Sequence, residues 1–472
     1  MPHITVDGVD YVPAGAGSGR RGIGIAITSR NRHQVLAQTL ESFGRFTPAG
    51  VPIVVVDDGS DTPVTAPAVT RLVRHDTARG IPASKNRCIA ELMALNVEHL
   101  FLFDDDTRPN ADDWWRPYVD SLEPHLQFSW SADHRGKPVP RMSELYRDDS
   151  LVAYGWSMGC MLYLTAGVVD RVGGMRPEFG LGMDEHGEYS QRIHNAGLTT
   201  FVHQDVPDSE PPLIWAADRY GSVQRSIPAD ERMRLLERNE RLRLALVDDA
   251  SFVQFTDRDC IVASYFTSAV DPQRGRQMPA DTTLLKPLLS SAAGIEVVLL
   301  TDITADVPDA TVVRLSVPLP AYQQRWISQW QWLRDHPDVR YVWLVDATDV
   351  RVLNNPFPYM RPGVLYCGWE AESVGCEWMR QHSPNSAAWI DDHAADMLLN
   401  AGVVGGDRAT VMRLCRDMIG LWLAGDKSDP CEEMAYLNIA ARRQPRLVTG
   451  IQVTTLFKSN AKSHPTAWFA HK

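Results

Sequence analysis

The sequence predicts an α/β protein of two tandem domains, each built around a mainly parallel sheet. Nearly continuous apolar runs, typical of strands buried on both faces, alternate with stretches of helical period. The alternation begins near residue 22 and begins again near residue 260, after a charged helical stretch at 229–246. Acidic clusters follow apolar runs directly in both halves. Because ligands of such sheets bind at the carboxyl ends of the strands, we expect functional sites there.

The first half alternates strands and helices from its first apolar run onward. The predicted elements are a strand at Ile25–Thr28, a helix at His33–Phe46, a strand at Val51–Val56, a helix at Ala83–Leu95 and a strand at His99–Phe103. They predict a domain over residues 22–250. Residues 1–21 are predicted to be a flexible arm, because their Gly-rich run precedes a strand, whereas a dinucleotide-binding loop follows one.

The second half repeats the alternation and predicts a domain over residues 258–472. Its predicted elements are strands at Cys260–Ala263, Glu296–Thr301 and Val339–Val345, and a helix at Gln323–Leu333. Asn400 and the pair Gly405-Gly406 favour a loop between later elements.

Composition excludes some functional classes. The net charge is −12 and disfavours a nucleic-acid partner, since nucleic-acid binders usually carry a basic surface. Seven dispersed cysteines without a CxxC pair indicate reduced thiols, and no apolar run approaches the ~20 residues that a membrane-spanning helix needs. A cytoplasmic protein without a membrane span is therefore expected.

Five polar clusters follow predicted strands of the first half or open its helices. They are Thr28-Ser29-Arg30-Asn31-Arg32, Asp57-Asp58-Gly59-Ser60, Ala83-Ser84-Lys85-Asn86, Asp104-Asp105-Asp106 and Asp184-Glu185-His186-Gly187-Glu188. A nucleotide-sugar needs such a set, because its base needs a carboxylate acceptor and its diphosphate a divalent cation. The run Asp104–Asp106 indicates function most strongly, since adjacent like charges repel unless a positive group is close.

In this order, the clusters resemble the motifs of inverting family-two glycosyltransferases of GT-A fold, over residues 22–210. The resemblance implies transfer of a sugar from a UDP-, GDP- or dTDP-sugar to an acceptor hydroxyl, with Mn²⁺ or Mg²⁺ as cofactor. It implies donor binding by Thr28, Arg30, Asp57, Asp58, Lys85, Asp104 and Asp105. It also implies metal binding by Asp104 and Asp106, with His203, Asp208 or Glu210 as a later ligand.

The acceptor-side motif of that family fits residues 182–192 approximately. A general base must take a proton from the acceptor hydroxyl, and the candidates are Asp184, Glu185 and His186. The choice among them is open, because His186 stands where the family often has the second acid of a pair. We expect Asp184 or Glu185 to be catalytic, with Glu185 slightly behind Asp184.

The second half resembles a different branch of GT-A-type glycosyltransferases. The resemblance rests on Asp346, Asp349 and Val350, followed by Asn355-Pro356-Phe357. It implies metal binding by Asp346, Asp349 and His471, and donor binding by Arg325.

The predicted function is a glycosyltransferase, with two sequential transfers as one possibility. One alternative is an active first domain beside a degenerate second domain that presents the acceptor. Others are a sugar nucleotidyltransferase and a non-catalytic carbohydrate- or protein-binding module. The acceptor is a glycan, a protein or a small molecule.

Overall fold

The computed structural model describes residues 20, 22–209, 211–222, 227–272, 275–425, 432–459 and 461–472, together with two short strands before them. The chain divides into two compact units, Met1–Thr256 and Asp257–Lys472. Those two short strands form an antiparallel pair within the predicted arm. Apart from them and Arg20, residues 1–19 and 21 of that arm lie outside the described residues.

The first unit alternates strands and helices along most of its length. Its strands are β1 (Ile4–Val6), β2 (Val9–Tyr11), β3 (Ile23–Ser29), β4 (Ile53–Asp57), β5 (Arg71–Arg74), β6 (His99–Asp104), β7 (Thr107–Pro109), β8 (His125–Gln127), β9 (Glu144–Arg147), β10 (Val152–Tyr154), β11 (Met161–Thr165), β12 (Gln204–Asp205) and β13 (Ile214–Ala216). Its α-helices are α1 (His33–Phe46), α2 (Ile81–Ala94), α3 (Arg116–Val119), α4 (Ala166–Val172), α5 (Glu185–Asn195), α6 (Ala217–Tyr220) and α7 (Ala229–Ala245), with a 3₁₀ turn at Pro177–Phe179.

The main sheet of this unit has the strand order β5-β4-β3-β6-β11-β8. The strands β5, β4, β3 and β6 are parallel, and β11 runs antiparallel to both β6 and β8. Apolar cores cover both faces of the sheet. The predicted strands of this sheet and the two predicted helices between them are confirmed, and their predicted bounds lie within two residues of those observed.

The second unit has the same alternation. Its strands are β14 (Arg258–Tyr265), β15 (Val270–Asp271), β16 (Arg276–Gln277), β17 (Glu296–Thr301), β18 (Thr311–Arg314), β19 (Val339–Asp346), β20 (Val350–Val352), β21 (Leu365–Ser373), β22 (Met397–Asp407), β23 (Leu447–Val448) and β24 (Phe469–His471). Its α-helices are α8 (Lys286–Ser291), α9 (Ala321–Asp335), α10 (Glu377–His382), α11 (Ala387–Asp392), α12 (Arg408–Ala424) and α13 (Glu433–Arg442). Its 3₁₀ turns lie at Thr282–Leu285, Phe357–Tyr359 and Pro384–Ser386.

The main sheets of the two units share a strand order. In the second unit the order is β18-β17-β14-β19-β22-β21-β23, and β18, β17, β14 and β19 are parallel. Each unit therefore places its parallel strands in the sequence third, second, first, fourth, followed by an antiparallel strand. The strand order reverses beside the first strand, which is where open α/β sheets bind ligands. At this point Thr28 lies opposite Asp104 in the first unit, and Ser264 lies opposite Asp346 in the second.

The loop predicted around Asn400 and Gly405-Gly406 is wrong, because these residues belong to the buried strand β22. Their glycines allow close packing. A Cβ on Gly405 would lie 2.4 Å from the Trp343 ring, and one on Gly406 would lie 2.9 Å from the Val364 carbonyl oxygen.

The described helices include none that is long and apolar enough to cross a membrane. The described cysteines are unpaired and are buried or half-buried, and Cys431 lies outside the described residues.

Candidate functional sites

The three aspartates at the end of β6 have cationic partners within the chain. The Lys85 Nζ lies 2.8 Å from Oδ1 of Asp104. The guanidinium of Arg32 pairs with Asp105 at 2.9 Å and with Asp106 at 2.5 Å. The like charges of the run are therefore balanced by a lysine from α2 and an arginine that precedes α1.

The accessible member of this run is Asp104. About 33% of its side chain is exposed, compared with 3% for Asp105 and 12% for Asp106. Burial raises the pKa of Asp104, against the opposing effect of Lys85. Burial also raises the pKa of Asp105 to about 7, although Arg32 and a 2.6 Å hydrogen bond from the Ser29 hydroxyl favour the charged form. Of the three aspartates, Asp104 is therefore the most accessible to a nucleotide-sugar donor. Asp105 instead anchors Arg32, the residue before α1.

The predicted metal ligands of the first unit do not come together. Among the described residues, Asp104, Asp106 and His203 do not form a group with mutually close ligand atoms. The ring of His203 packs 5.3 Å from that of Trp156, and burial lowers its pKa to about 3. The alternative ligand Asp208 forms an ion pair with Arg219, and Glu210 lies outside the described residues.

The carboxylates of Asp57 and Asp58 bind the loops around them. Asp57 accepts hydrogen bonds from two amides of the turn after β4 and from Arg74. Asp58 accepts bonds of 2.9 Å from the Gly80 amide, at the start of α2, and 2.8 Å from His75. Burial would raise the pKa of each carboxyl, but these hydrogen bonds outweigh it and the pKa is lowered. Both are ionised anchors, and Asp58 ties β4 to the helix that carries Lys85.

The other predicted donor contacts lie at the end of β3. The Thr28 hydroxyl makes a long bond of 3.5 Å to the carbonyl oxygen of Phe103. The buried Nε of Arg30 has no hydrogen-bond partner within the described part of the chain. Thr28 therefore lies level with Asp104 in the sheet. The N–H at Nε of Arg30 donates no hydrogen bond to the described part of the chain.

The two candidate bases lie at the start of α5. Asp184 is 3.5 Å from Arg243 of α7. Glu185 interacts electrostatically with Lys85 and Asp104. Burial raises the pKa of Asp184, whereas for Glu185 burial is outweighed by His186 and the pKa is lowered. The buried Oε2 of Glu185 has no hydrogen-bond partner among the described residues. Glu185 is therefore an ionised carboxylate that interacts electrostatically with Lys85 and Asp104, and its Oε2 has no hydrogen-bond partner among the described residues.

In the second unit the predicted metal ligands come together. One ligand atom from each of Asp346, Asp349 and His471 lies within 4.8 Å of the others. His471 is held in β24, where it pairs with Val350 of β20, and its side chain is 5% exposed. A Cβ on Gly402 would lie 2.1 Å from the His471 ring and 2.8 Å from Asp346, so glycine keeps room for this group.

Arg325 of α9 provides the charge behind these residues. It pairs with Asp346, and its other Nη lies 2.5 Å from Glu433. Burial would raise the pKa of Asp346, but Arg325 and His471 outweigh it and hold the pKa well below its usual range. Asp346 is therefore ionised, as a metal ligand must be.

A cavity of about 560 Å³ opens beside this group. Its lining includes Asp346, Asp349, Glu370, Asn400, Glu433 and His471. The Asn400 side chain donates a 2.6 Å bond to Glu370, whose pKa burial raises. The volume is in the range of small-molecule sites.

Sequence reasoning did not assign Arg32, Glu370 or Asn239 to a site. Arg32 lies within the first polar cluster, so its position could have suggested a partner for the aspartates. Glu370 and Asn239 have no local pattern that marks them, because their contacts come from distant segments.

Comparison with known proteins gives a family match for part of the chain. Residues 24–173 match the family described as "Glycosyl transferase family 2". A search of curated proteins gave no match. A solved structure described as "Crystal structure of GalNAc-T7 with UDP, GalNAc and Mn2+" aligns with 14% identity and a TM-score of 0.33. That alignment covers 40% of this chain and 43% of the other, so it spans less than half of either. The family match supports a glycosyltransferase domain in the first unit.

Proposed function

We propose that the first unit transfers a sugar from a nucleotide-diphospho-sugar to an acceptor hydroxyl. The observation that carries this proposal is the Lys85–Asp104 pair, at the point where the strand order reverses and within the family-matched residues 24–173. A cation at this point can stabilise the charge that develops on a leaving diphosphate.

We propose Glu185 as the general base. Its ionised carboxylate would take the proton of the acceptor hydroxyl while that oxygen attacks the anomeric carbon. The bond to the diphosphate breaks on the opposite face, as the resemblance to inverting enzymes implies. In this proposal Lys85 would interact with the donor's diphosphate and Glu185 with the acceptor hydroxyl.

A divalent cation in the first unit would bind at Asp104, the most accessible carboxylate of the run, in place of its pairing with Lys85. Asp106 is engaged by Arg32, so Asp104 and the donor's phosphate oxygens would supply most of the ligands. Bound Mn²⁺ or Mg²⁺ would add positive charge beside the diphosphate.

For the second unit, we propose a metal-assisted nucleotide-sugar site at Asp346, Asp349 and His471. Two carboxylates and an imidazole suit Mn²⁺, and the spacing of their ligand atoms fits a single ion. The cavity has room for a donor. With both sites active, the protein would be a bifunctional transferase.

The test is a screen of the full chain with UDP-, GDP- and dTDP-sugars, with and without Mn²⁺ or Mg²⁺. Release of nucleoside diphosphate is measured, and nucleotide binding is followed by thermal shift. We expect Asp104→Asn to abolish one activity and Asp349→Asn another. Asp149→Asn, at an exposed position away from both groups, is the matched control.

Other outcomes identify the alternatives. If both substitutions abolish the same single activity, the protein is not bifunctional. Release of pyrophosphate from a nucleoside triphosphate and a sugar phosphate would indicate a nucleotidyltransferase. Failure of every nucleotide-sugar to bind would contradict the proposal and favour a binding module.

A further inference from the structure

The turn that leads into α5 has an unusual backbone. Gly180 and Gly182 have φ angles of 64° and 118°, and Met183 and Asp184 follow with 76° and 66°. Residues with a side chain seldom adopt this left-handed region, and two in succession need support from surrounding structure. This turn directly precedes Glu185.

The support on one side comes from Asn239 of α7. Its side chain is fully buried, in a helix whose other described side chains are exposed or half-buried. The Nδ2 group donates to the carbonyl oxygens of Gly182 at 2.7 Å, Met183 at 2.9 Å and Phe179 at 3.1 Å. A single amide thus contacts both ends of the turn.

The support on the other side comes from the start of α2. A Cβ on Gly80 would lie 2.1 Å from the carbonyl oxygen of Gly180, so the two backbones are in close contact. The Ile81 amide donates to the Leu181 carbonyl oxygen at 3.4 Å. Since α2 also carries Lys85, the turn is fixed relative to the donor side of the site.

A second residue of α7 contacts the turn at a carboxylate. The Nε of Arg243 lies 3.5 Å from Oδ2 of Asp184. The same guanidinium stacks on the Trp156 ring, 4.7 Å from its centroid. These contacts hold Asp184 toward α7, and the next residue, Glu185, opens α5 and interacts electrostatically with Lys85 and Asp104.

We propose that α7 positions the general base of the first unit and that Asn239 is its positioning residue. The inference rests on the proposed function of that unit, and α7 lies beyond the family-matched residues. Asn239 does not touch the reacting groups. It holds the turn in the conformation from which Glu185 reaches the acceptor.

The test uses Asn239→Ala and the isosteric Asn239→Asp, both of which remove the amide donor. Hydrogen exchange of the full chain measures mobility, and we expect faster exchange in peptides covering residues 178–188 but not in those covering 100–110. With UDP-, GDP- and dTDP-sugars and water as acceptor, we expect kcat to fall ~10–100-fold, because small misplacements are costly in catalysis. The KM for the donor and the thermal shift with UDP or GDP should be unchanged.

Two controls separate positioning from loss of stability. Asn438→Ala removes another fully buried asparagine, in α13 of the second unit, and should leave the turn and the first-unit activity unchanged. Arg234→Ala changes an exposed position of α7 itself and should do the same.

Each outcome decides a separate question. Unchanged exchange at 178–188 would overturn the role of Asn239 in holding the turn. Faster exchange with unchanged kcat would overturn its role in positioning the base. If the wild type turns over no nucleotide-sugar, the proposed function fails, while the exchange data still decide whether Asn239 holds the turn.

Discussion

At the scale of single residues, neighbouring carboxylates in the first unit differ in the charges around them. Asp184 is close to Arg243 and is drawn toward α7, whereas Glu185 interacts with Lys85 and Asp104. The base is required to be ionised before reaction, and the lowered pKa of Glu185 satisfies this requirement. Because their surroundings differ, substitution of Asp184 and substitution of Glu185 should have different effects on activity.

We expect Glu185→Gln to lower kcat by about 100-fold or more, the range that general-base catalysis contributes. Asp184→Asn should have a smaller effect, because its carboxylate holds the turn. Nucleotide binding, measured by thermal shift, should survive both changes. Equal losses in the two variants would contradict the assignment of the base to Glu185.

The pH dependence of the first-unit activity follows from the same carboxyl group. Because the folded pKa of Glu185 lies below its ordinary value, the group stays charged at neutral and mildly acidic pH. The loss of activity that is due to Glu185 should appear only as the pH drops through that lowered pKa, below the ~4.3 of an ordinary glutamate. Comparing the pH profiles of kcat/KM of the wild type and Glu185→Gln measures this limb, which should be missing in the variant. An unchanged acidic limb in Glu185→Gln would contradict the assignment.

The sequence indicated where polar residues cluster at strand ends more reliably than it indicated what those residues contact. The run Asp104–Asp106 could be identified because three adjacent acids after an apolar strand need a positive partner. The pairing of Arg32 with Asp105 and Asp106 could not be identified from the sequence, because it depends on how α1 packs against the sheet. The family resemblance offered His203 as one possible metal ligand, but in the structure it packs against Trp156.

At the scale of secondary-structure elements, β19, β22 and β24 meet at the proposed metal site of the second unit. Gly402 of β22 lies against His471 of β24. The elements that the sequence predicted best are the apolar parallel strands and the helices between them. β22 was missed because its glycines are local loop signals, while their use in packing against Trp343 appears only in three dimensions.

We expect Gly402→Ala to abolish Mn²⁺ binding without changing any ligand. The new methyl group would overlap the His471 ring and the Asp346 carboxylate, so the ligand atoms would have to separate. Isothermal titration with Mn²⁺ measures the effect. Wild-type affinity in this variant would contradict the proposed metal site.

The matched substitution is Gly420→Ala on α12. Nothing lies within 4 Å of a Cβ at this exposed helical glycine. Alanine should therefore raise the free energy of unfolding of the second unit by ~0.5–1 kcal/mol, from the difference in helix propensity. Urea unfolding measures the gain, and Mn²⁺ affinity should not change.

At the scale of the whole molecule, each unit has its own apolar cores and the same strand order. The repeated order could be anticipated from the repeated alternation of apolar runs. The arrangement of the side chains could not be anticipated. In the first unit Lys85 and Arg32 pair with all three aspartates, whereas in the second Arg325 pairs with Asp346, and Asp346, Asp349 and His471 lie close together.

We expect Mn²⁺ to raise the melting temperature of the second unit, because a ligand that binds only the native state stabilises it. Calorimetry of the full chain measures the shift. His471→Ala should abolish it, whereas His464→Ala should preserve it, since the His464 ring accepts hydrogen bonds from the amides of Thr466 and Ala467 and is not part of the proposed metal site. A full shift in the His471→Ala variant would place the responsible metal elsewhere.

The hydrogen bonds from Asn239 of α7 to the turn before α5 also bear on how the first unit folds. Asn239 and Gly182 are 57 positions apart in sequence, and contacts between distant segments form slowly because chain entropy opposes them. Until α7 docks, the left-handed turn rests on the start of α2 and lacks the hydrogen bonds from the Asn239 amide. During refolding, nucleotide binding at the sheet edge should therefore recover before turnover does, and the lag between them would report the docking of that helix.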